Sequence, residues 1–187
     1  MNGLAILASP RANGKLAGML DEAVKSAVAG GYAVDRINLY TQEIHPCIGC
    51  MKCREDGLCI LHDDLAAIRE KLCACDVVIL AAPTYFANIP GPVKNLFDRL
   101  SGAVMGESSR GIPKGKLSRR QKYLLLTACT TPAPFDKIFG QSSGALRAMK
   151  EFFKTAGMSQ MGTVVFAGSK GKKEIPAAVL CKIRRYF

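Results

Sequence analysis

The chain has 187 residues, 49% of them hydrophobic, enough for one sizeable core and too few for two ordinary domains, so a single domain over 1–187 is expected. No run approaches the ~20 apolar residues of a membrane helix, and Met1-Asn2-Gly3 leads into a short apolar run without a basic segment before it, so a soluble cytoplasmic protein is expected. The formal charge is +11, and from Arg110 onward 16 Lys and Arg face only Asp136, Glu151 and Glu174; no nucleic-acid motif accompanies them, so a solvated basic face is expected and a nucleic-acid partner is not.

In chain order, the run Leu4-Ala5-Ile6-Leu7-Ala8 lacks alternation, as a strand covered on both faces does, and gives way to a polar loop over 9–14. Leu16, Met19, Leu20, Ala23, Val24 and Ala27 recur at helical spacing, predicting a helix over 15–29 that Gly30-Gly31 ends. A second strand is expected over 32–39, then a cysteine-rich loop over 45–62. Asp63 and Asp64 can start a helix reaching 72, because carboxylates bond free amides of a first turn and oppose the dipole. The strongest strand, 76–82, runs into Pro83 and an aromatic loop, with a helix over 92–100 behind it. Residues 101–120 are rich in Gly, Ser and basic side chains and read as a long exposed connection. A strand over 122–129, a helix over 141–156, a strand over 162–167 and a helix over 176–185 complete the chain. Five strands alternating with helices predict an α/β fold, a doubly wound five-stranded parallel sheet with helices on both faces. Ligands in such folds bind beyond the carboxyl ends of the strands, which selects the loops at 9–14, 83–91 and 129–135.

The first loop has neither G-x-G-x-x-G nor a Walker pattern. It does present Ser9, Arg11, Asn13, Lys15 and free amides at a helix start, a set that suits a phosphate, although a capped helix with an incidental Arg would look the same. The second loop mixes flat apolar surface with hydrogen-bonding groups at Thr84, Tyr85, Phe86 and Asn88, as a planar heterocycle requires; Tyr85 and Phe86 could also merely cap the core. The third adds Thr130 and Thr131. A phosphate at one loop and a planar ring between the other two describe flavin mononucleotide.

Cys47, Cys50, Cys53 and Cys59 fall within thirteen residues, and Gly49 and Gly57 give the loop freedom to wrap, so four thiolates could converge on one 4Fe-4S cluster. Zinc is the rival metal and a free-thiol loop the third reading. Cys73, Cys75, Cys129 and Cys181 read as ordinary small residues.

Ser9-Pro10-Arg11 with Gly14, the cysteine set followed by Asp63-Asp64, Ala82-Pro83-Thr84-Tyr85-Phe86, the stretch from Lys94 to Arg99, and Thr127-Ala128-Cys129-Thr130-Thr131-Pro132 together resemble the flavodoxin-like NAD(P)H-dependent FMN reductases, and within them the iron-sulfur flavoprotein branch. That resemblance implies a flavodoxin fold, bound FMN, NAD(P)H as co-substrate, and homodimers or homotetramers with the flavin near a subunit boundary. By position, Ser9, Arg11, Asn13, Gly14, Lys15 and Leu16 would surround the phosphate. Pro83, Thr84, Tyr85, Phe86, Ala87, Asn88, Ile89, Thr130 and Thr131 would hold the ring, and the four cysteines of the loop would ligate a cluster. The chain departs from the family at Ala8 and at Lys15-Leu16, which stand where members often have Gly and Asn-Thr. The missing Thr hydroxyl removes one phosphate hydrogen bond, and the Lys15 charge is available to offset it. The activity implied carries electrons from NAD(P)H through FMN to a quinone, a small oxidant or a protein acceptor, with no side chain needed as acid or base. The alternatives are an electron carrier reduced by ferredoxin without NAD(P)H activity, and a zinc-stabilised interaction module with a vestigial flavin site.

Overall fold

Strands β1 (Asn2–Leu7), β2 (Ala33–Asn38) and β3 (Val77–Pro83) come first, with α1 (Lys15–Ala29) after β1 and, after β2, a 3₁₀ turn (Leu39–Thr41), α2 (Cys53–Asp56) and α3 (Leu65–Ala74). Then follow α4 (Gly91–Val104), a hairpin of β4 (Met105–Glu107) and β5 (Pro113–Gly115), β6 (Lys122–Ala128), α5 (Phe135–Ile138), α6 (Gln141–Ala156), β7 (Ser159–Phe166) and α7 (Ala177–Arg184). The computed structural model describes residues 1–108 and 110–187; Ser109, within the connection expected over 101–120, lies outside the described residues.

The main sheet is parallel in the order β2-β1-β3-β6-β7. Read as five consecutive strands this is 2-1-3-4-5, the flavodoxin-like order, with its switch point between β1 and β3. The three central strands are buried almost throughout, whereas edge strand β7 alternates. Successive strand residues point to opposite faces, so each apolar run feeds two cores at once. Leu4, Ile6, Val78, Leu80 and Leu125 pack under α3, α4 and α6, where the Phe153 ring stacks on Tyr123 at 4.7 Å. Ala5, Leu7, Ile79, Leu124 and Leu126 pack under α1 and α7. Helices therefore cover both faces, as the periodicity predicts.

In register, Leu7 pairs with Ala81, Ala81 with Leu126 and Leu126 with Val164, so the loops leaving β1, β3, β6 and β7 emerge along one sheet edge. The amide of Ala8 still bonds the carbonyl of Ala81 (2.8 Å), which carries the pairing to the mouth of the first loop.

The connection expected over 101–120 is exposed over most of its described residues, but it is not without secondary structure. Helix α4 runs on to Val104, and the β4–β5 hairpin follows, with Met105 paired to Gly115. That hairpin lies against the end of α6: a Cβ on Gly115 would stand 2.5 Å from the Ala156 carbonyl, and Leu117 N–H donates to that oxygen (2.9 Å). Strands of three residues are too short to display a period, and the glycine that allows the close approach reads locally as a turn residue. The helix expected from Asp63 begins at Leu65, the strand expected at 162–167 spans Ser159–Phe166, and the short α2 and α5 had no counterpart in the pattern. No helix among the described residues is long and apolar enough to cross a membrane.

Candidate functional site

At the end of β1 the Ser9 side chain is buried and its oxygen accepts the Arg11 N–H (3.2 Å), while the Arg11 carbonyl accepts the Gly14 N–H (3.0 Å). These two bonds turn the chain into α1. Gly14 caps the helix without any side-chain acceptor, and no acidic residue lies in the first turn. The first amides of α1 are thus left for an anion, with the Arg11 guanidinium exposed beside them. Asn13 is exposed at the same turn. Leu16 belongs to the site only through its backbone, since its side chain is buried in the core below. Lys15 reaches across to the loop after β7, where its Nζ donates to the Ser169 carbonyl (2.6 Å).

The second loop folds back at once. Tyr85 and Asn88 exchange both backbone hydrogen bonds (2.9 Å each), and the residues between them, Phe86 and Ala87, have φ of 49° and 57°. Two successive positive φ values make a primed turn, a conformation that normally selects Gly or Asn and that a phenylalanine occupies only under strain. The strain is held in place by α6, because the Ala87 carbonyl lies against Gly144. Its product is a Phe86 ring fully exposed at the sheet edge beside a half-exposed Tyr85. Tyr40, in the 3₁₀ turn, stands near Tyr85, and its phenol is pushed up by burial first and by that neighbour second. Asn88 uses its side-chain oxygen to accept the Ile89 N–H (2.8 Å), so it shapes the turn. Thr84 is fixed to β6: its N–H donates to Ala128 (3.1 Å), and its hydroxyl lies 3.2 Å from that of Thr127.

The third loop is joined to the one after β7. Thr131 accepts the Gly168 N–H (2.8 Å), and the Cys129 carbonyl accepts both the N–H and the hydroxyl of Ser169 (2.9 Å each). The hydroxyls of Thr130 and Thr131 have no partner among the described residues. Three of the expected loops thus share one edge with a fourth, around Gly168-Ser169, which lacked any local signal. Gly144 did carry one, being a glycine inside a helical pattern.

The cysteine loop lies over α4. Cys47, Cys50, Cys53 and Cys59, all free thiols, line one small cavity of about 60 Å³ together with Ile48, Met51 and, from α4, Arg99. Gly57, with φ of 82°, caps α2 and turns the chain back toward Cys59. Gly102 of α4 lets α2 approach closely, since a Cβ there would stand 2.3 Å from the Cys53 carbonyl. No group of three or more His, Cys, Asp or Glu side chains among the described residues converges on a single-ion site. The four cysteines share a cavity in which Cys47 and Cys50 are exposed and Cys53 and Cys59 half-buried.

Below that cavity sits a buried ion pair. The Arg99 guanidinium donates to both oxygens of Asp63 (2.8 and 3.1 Å) and to the His45 carbonyl, with both side chains wholly enclosed. Burial by itself would raise the Asp63 carboxyl. The hydrogen bonds from Arg99 and from the amides of His45 and Leu65, with the Arg99 charge, outweigh it and hold the group at about 2. Asp63 does bond the first-turn amide of Leu65 (3.1 Å), as a helix starter would, but its partner across the fold was not visible in the sequence. Arg99 Nε is buried with no partner among the described residues.

The sequence pattern of the family described as NADPH-dependent FMN reductase matches residues 1–173. The chain belongs to that family. It is 34% identical to an iron-sulfur flavoprotein of Archaeoglobus fulgidus over 100 residues, 54% of this chain and 46% of that one. An iron-sulfur flavoprotein of Methanosarcina thermophila is 36% identical over 94 residues, covering 50% and 49%. The chain thus spans about half the length of the curated relatives it matches. Among solved structures, the NAD(P)H:quinone oxidoreductase from Methanothermobacter marburgensis superposes with a TM-score of 0.80 over 99% of this chain and 96% of that one at 14% identity, a likeness of fold. This member of the FMN reductase family therefore joins a flavodoxin-like sheet to a four-cysteine loop.

Proposed function

We propose that this protein is an FMN-dependent oxidoreductase that takes electrons from NAD(P)H and delivers them to a quinone or another small oxidant, or singly through the cysteine loop to a protein acceptor. The observation that carries the reading is the meeting, at one sheet edge, of an uncapped helix start beside Arg11 with a strained turn that presents Tyr85 and Phe86. The first suits a phosphate and the second a flat ring, and FMN has both. When bound, FMN supplies the redox chemistry, accepting a hydride and releasing electrons in pairs or one at a time.

The chain's own part is binding, orientation and exclusion of water. Ser9, Arg11, Asn13, Gly14 and the amides of Lys15 and Leu16 hold the phosphate, while Lys15 keeps a positive charge at the edge and ties the fourth loop to it. The segment from Pro83 to Ile89, with Thr130 and Thr131, frames the ring. Thr84 is positioned for this by its bonds to β6, and the 85–88 turn by its seat on α6. Phe86 is fully exposed, as is much of the stacked Phe135–Phe139 pair, and such apolar surface suits a homodimer or homotetramer with the flavin near the subunit boundary. A single cytoplasmic domain completes the reading.

The cysteine loop fits a 4Fe-4S cluster by its donor set and by the buried, unpartnered Arg99 Nε–H beside a cavity that would hold anionic sulfur. Cys47, Cys50, Cys53 and Cys59 would ligate it, and it would add a one-electron relay. A second reading, an electron carrier reduced by ferredoxin, draws on the exposed Lys170, Lys172 and Lys173 just beyond Ser169, a basic patch suited to an acidic protein.

Anaerobically purified protein, assayed together for FMN, iron and acid-labile sulfide and then mixed rapidly with NADH or NADPH, tests the proposal. Flavin bleaching by either nucleotide is expected. Bleaching by reduced ferredoxin alone would overturn the oxidoreductase reading in favour of the carrier.

A further inference from the structure

We infer that Arg99 is a positioning residue for the four-cysteine site, donating its Nε–H to the Cys59 sulfur and thereby raising the reduction potential of the cluster held there. The inference rests on the cluster reading of the loop. Arg99 comes from α4, outside the cysteine loop, and is wholly enclosed. Two of its nitrogens are committed: Nη1 to Asp63 and the His45 carbonyl, Nη2 to Asp63. The Nε–H and one Nη2–H are left over, and Nε is buried without a hydrogen-bond partner among the described residues. An unsatisfied guanidinium N–H in a protein interior is expensive, and it persists where an acceptor is supplied by something else. The acceptor at hand is sulfur. Arg99 lines the same cavity as all four cysteines, and Cys59 lies close enough to favour the guanidinium charge.

The rest of the arrangement serves that geometry. Asp63 grips the fork bidentately, which fixes the plane of the guanidinium and so the direction of Nε. Asn95, one turn earlier on α4, donates to the carbonyls of Ile44 (3.0 Å) and His45 (3.2 Å), pinning the start of the cysteine loop to the same helix. A hydrogen bond to a ligating thiolate withdraws charge from the sulfur and favours the more negative, reduced state. On reduction one electron enters the cluster; no bond is made or broken, no proton moves, and Arg99 stays charged in both states.

Removing Arg99 alone would strand a buried Asp63 charge, so the test compares Asp63→Asn with the double variant Asp63→Asn/Arg99→Lys, two proteins of equal charge that differ in the Nε donor. Cluster is reconstituted anaerobically with ferrous iron and sulfide, and its midpoint is read by titration with dithionite, alongside FMN content and far-UV circular dichroism. The double variant is expected to keep FMN and fold and to show a midpoint at least 59 mV below that of Asp63→Asn, a tenfold change in the one-electron equilibrium. Equal midpoints overturn the inference and leave the cluster reading standing. A wild-type protein that takes up no iron and sulfide overturns both. If the double variant fails to fold or to bind iron, Arg99→Lys decides, because it keeps the charge and the Asp63 partner but has no Nε donor: a cluster present with a lowered midpoint supports the inference, and a wild-type midpoint or no cluster overturns it.

Discussion

The carbonyl oxygen of Ala87 rests against Gly144: a Cβ built on that glycine would stand 1.9 Å from it. The strained turn at the edge of the candidate flavin site is thus seated on α6, the sixth element after it along the chain. In an exposed helix interior, Gly→Ala would stabilise by about 1 kcal/mol. Here Gly144→Ala is expected to do the opposite, lowering stability by about 1–3 kcal/mol through overpacking. By displacing the turn it should also weaken FMN binding about tenfold, or about 1.4 kcal/mol. Thermal melts and flavin fluorescence titration measure the two; undiminished affinity would detach the 85–88 turn from the flavin site.

Arg11 is exposed beside the uncapped start of α1 and has no core to disturb. Arg11→Ala should leave the melting temperature unchanged and weaken FMN by about tenfold or more, since a hydrogen bond to a charged group contributes about 1.5–3 kcal/mol. Riboflavin, which lacks the phosphate, should bind both proteins equally. Equal losses for FMN and riboflavin would place Arg11 elsewhere than at the phosphate.

Cys50 is exposed and lines the cysteine cavity. Cys50→Ala should abolish the iron and acid-labile sulfide of anaerobically prepared protein while FMN content stays at the wild-type level. Retained iron would show that Cys50 is not a ligand.

The Asp63 carboxyl, held at about 2 against an ordinary 3.8, links stability to pH. A carboxyl with a lowered folded-state value stabilises the fold above its unfolded-state value, and that stabilisation is lost as pH falls from about 3.8 through about 2. The contribution is roughly 2 kcal/mol, from 1.36 kcal/mol per unit. Urea unfolding at pH 5 and at pH 2 should show the loss in wild-type protein, and Asp63→Asn should be flatter across that window. Parallel slopes would mean that the ion pair does not persist in solution.

The central sheet was legible because its strands are covered on both faces. Uninterrupted runs such as Val77 to Ala82 have few other uses in a chain of this length, and the helix facing them shows its period at Leu16, Met19, Leu20, Ala23 and Ala27. The loops at 9–14 and 83–91 followed from the sheet, since parallel strands must all deliver their ends to one edge. The hairpin Met105–Glu107 with Pro113–Gly115 was hidden because its segments are too short for a period and its glycine answers to α6, not to its neighbours in sequence. Positive φ at Phe86 and Ala87 was hidden too, because neither residue favours that conformation by itself.

What the sequence by itself determined is what depends on neighbours within a few turns: the doubly wound α/β order, the polar loop that runs into α1, and four cysteines close enough to share one loop. Tertiary structure alone decided which distant groups meet: Lys15 with Ser169, 154 residues on, Asp63 with Arg99, 36 residues on, and Ala87 with Gly144. Hydrogen bonding and close packing act over a few ångströms of space whatever the separation along the chain, so such pairs exist only once the sheet has brought their elements together.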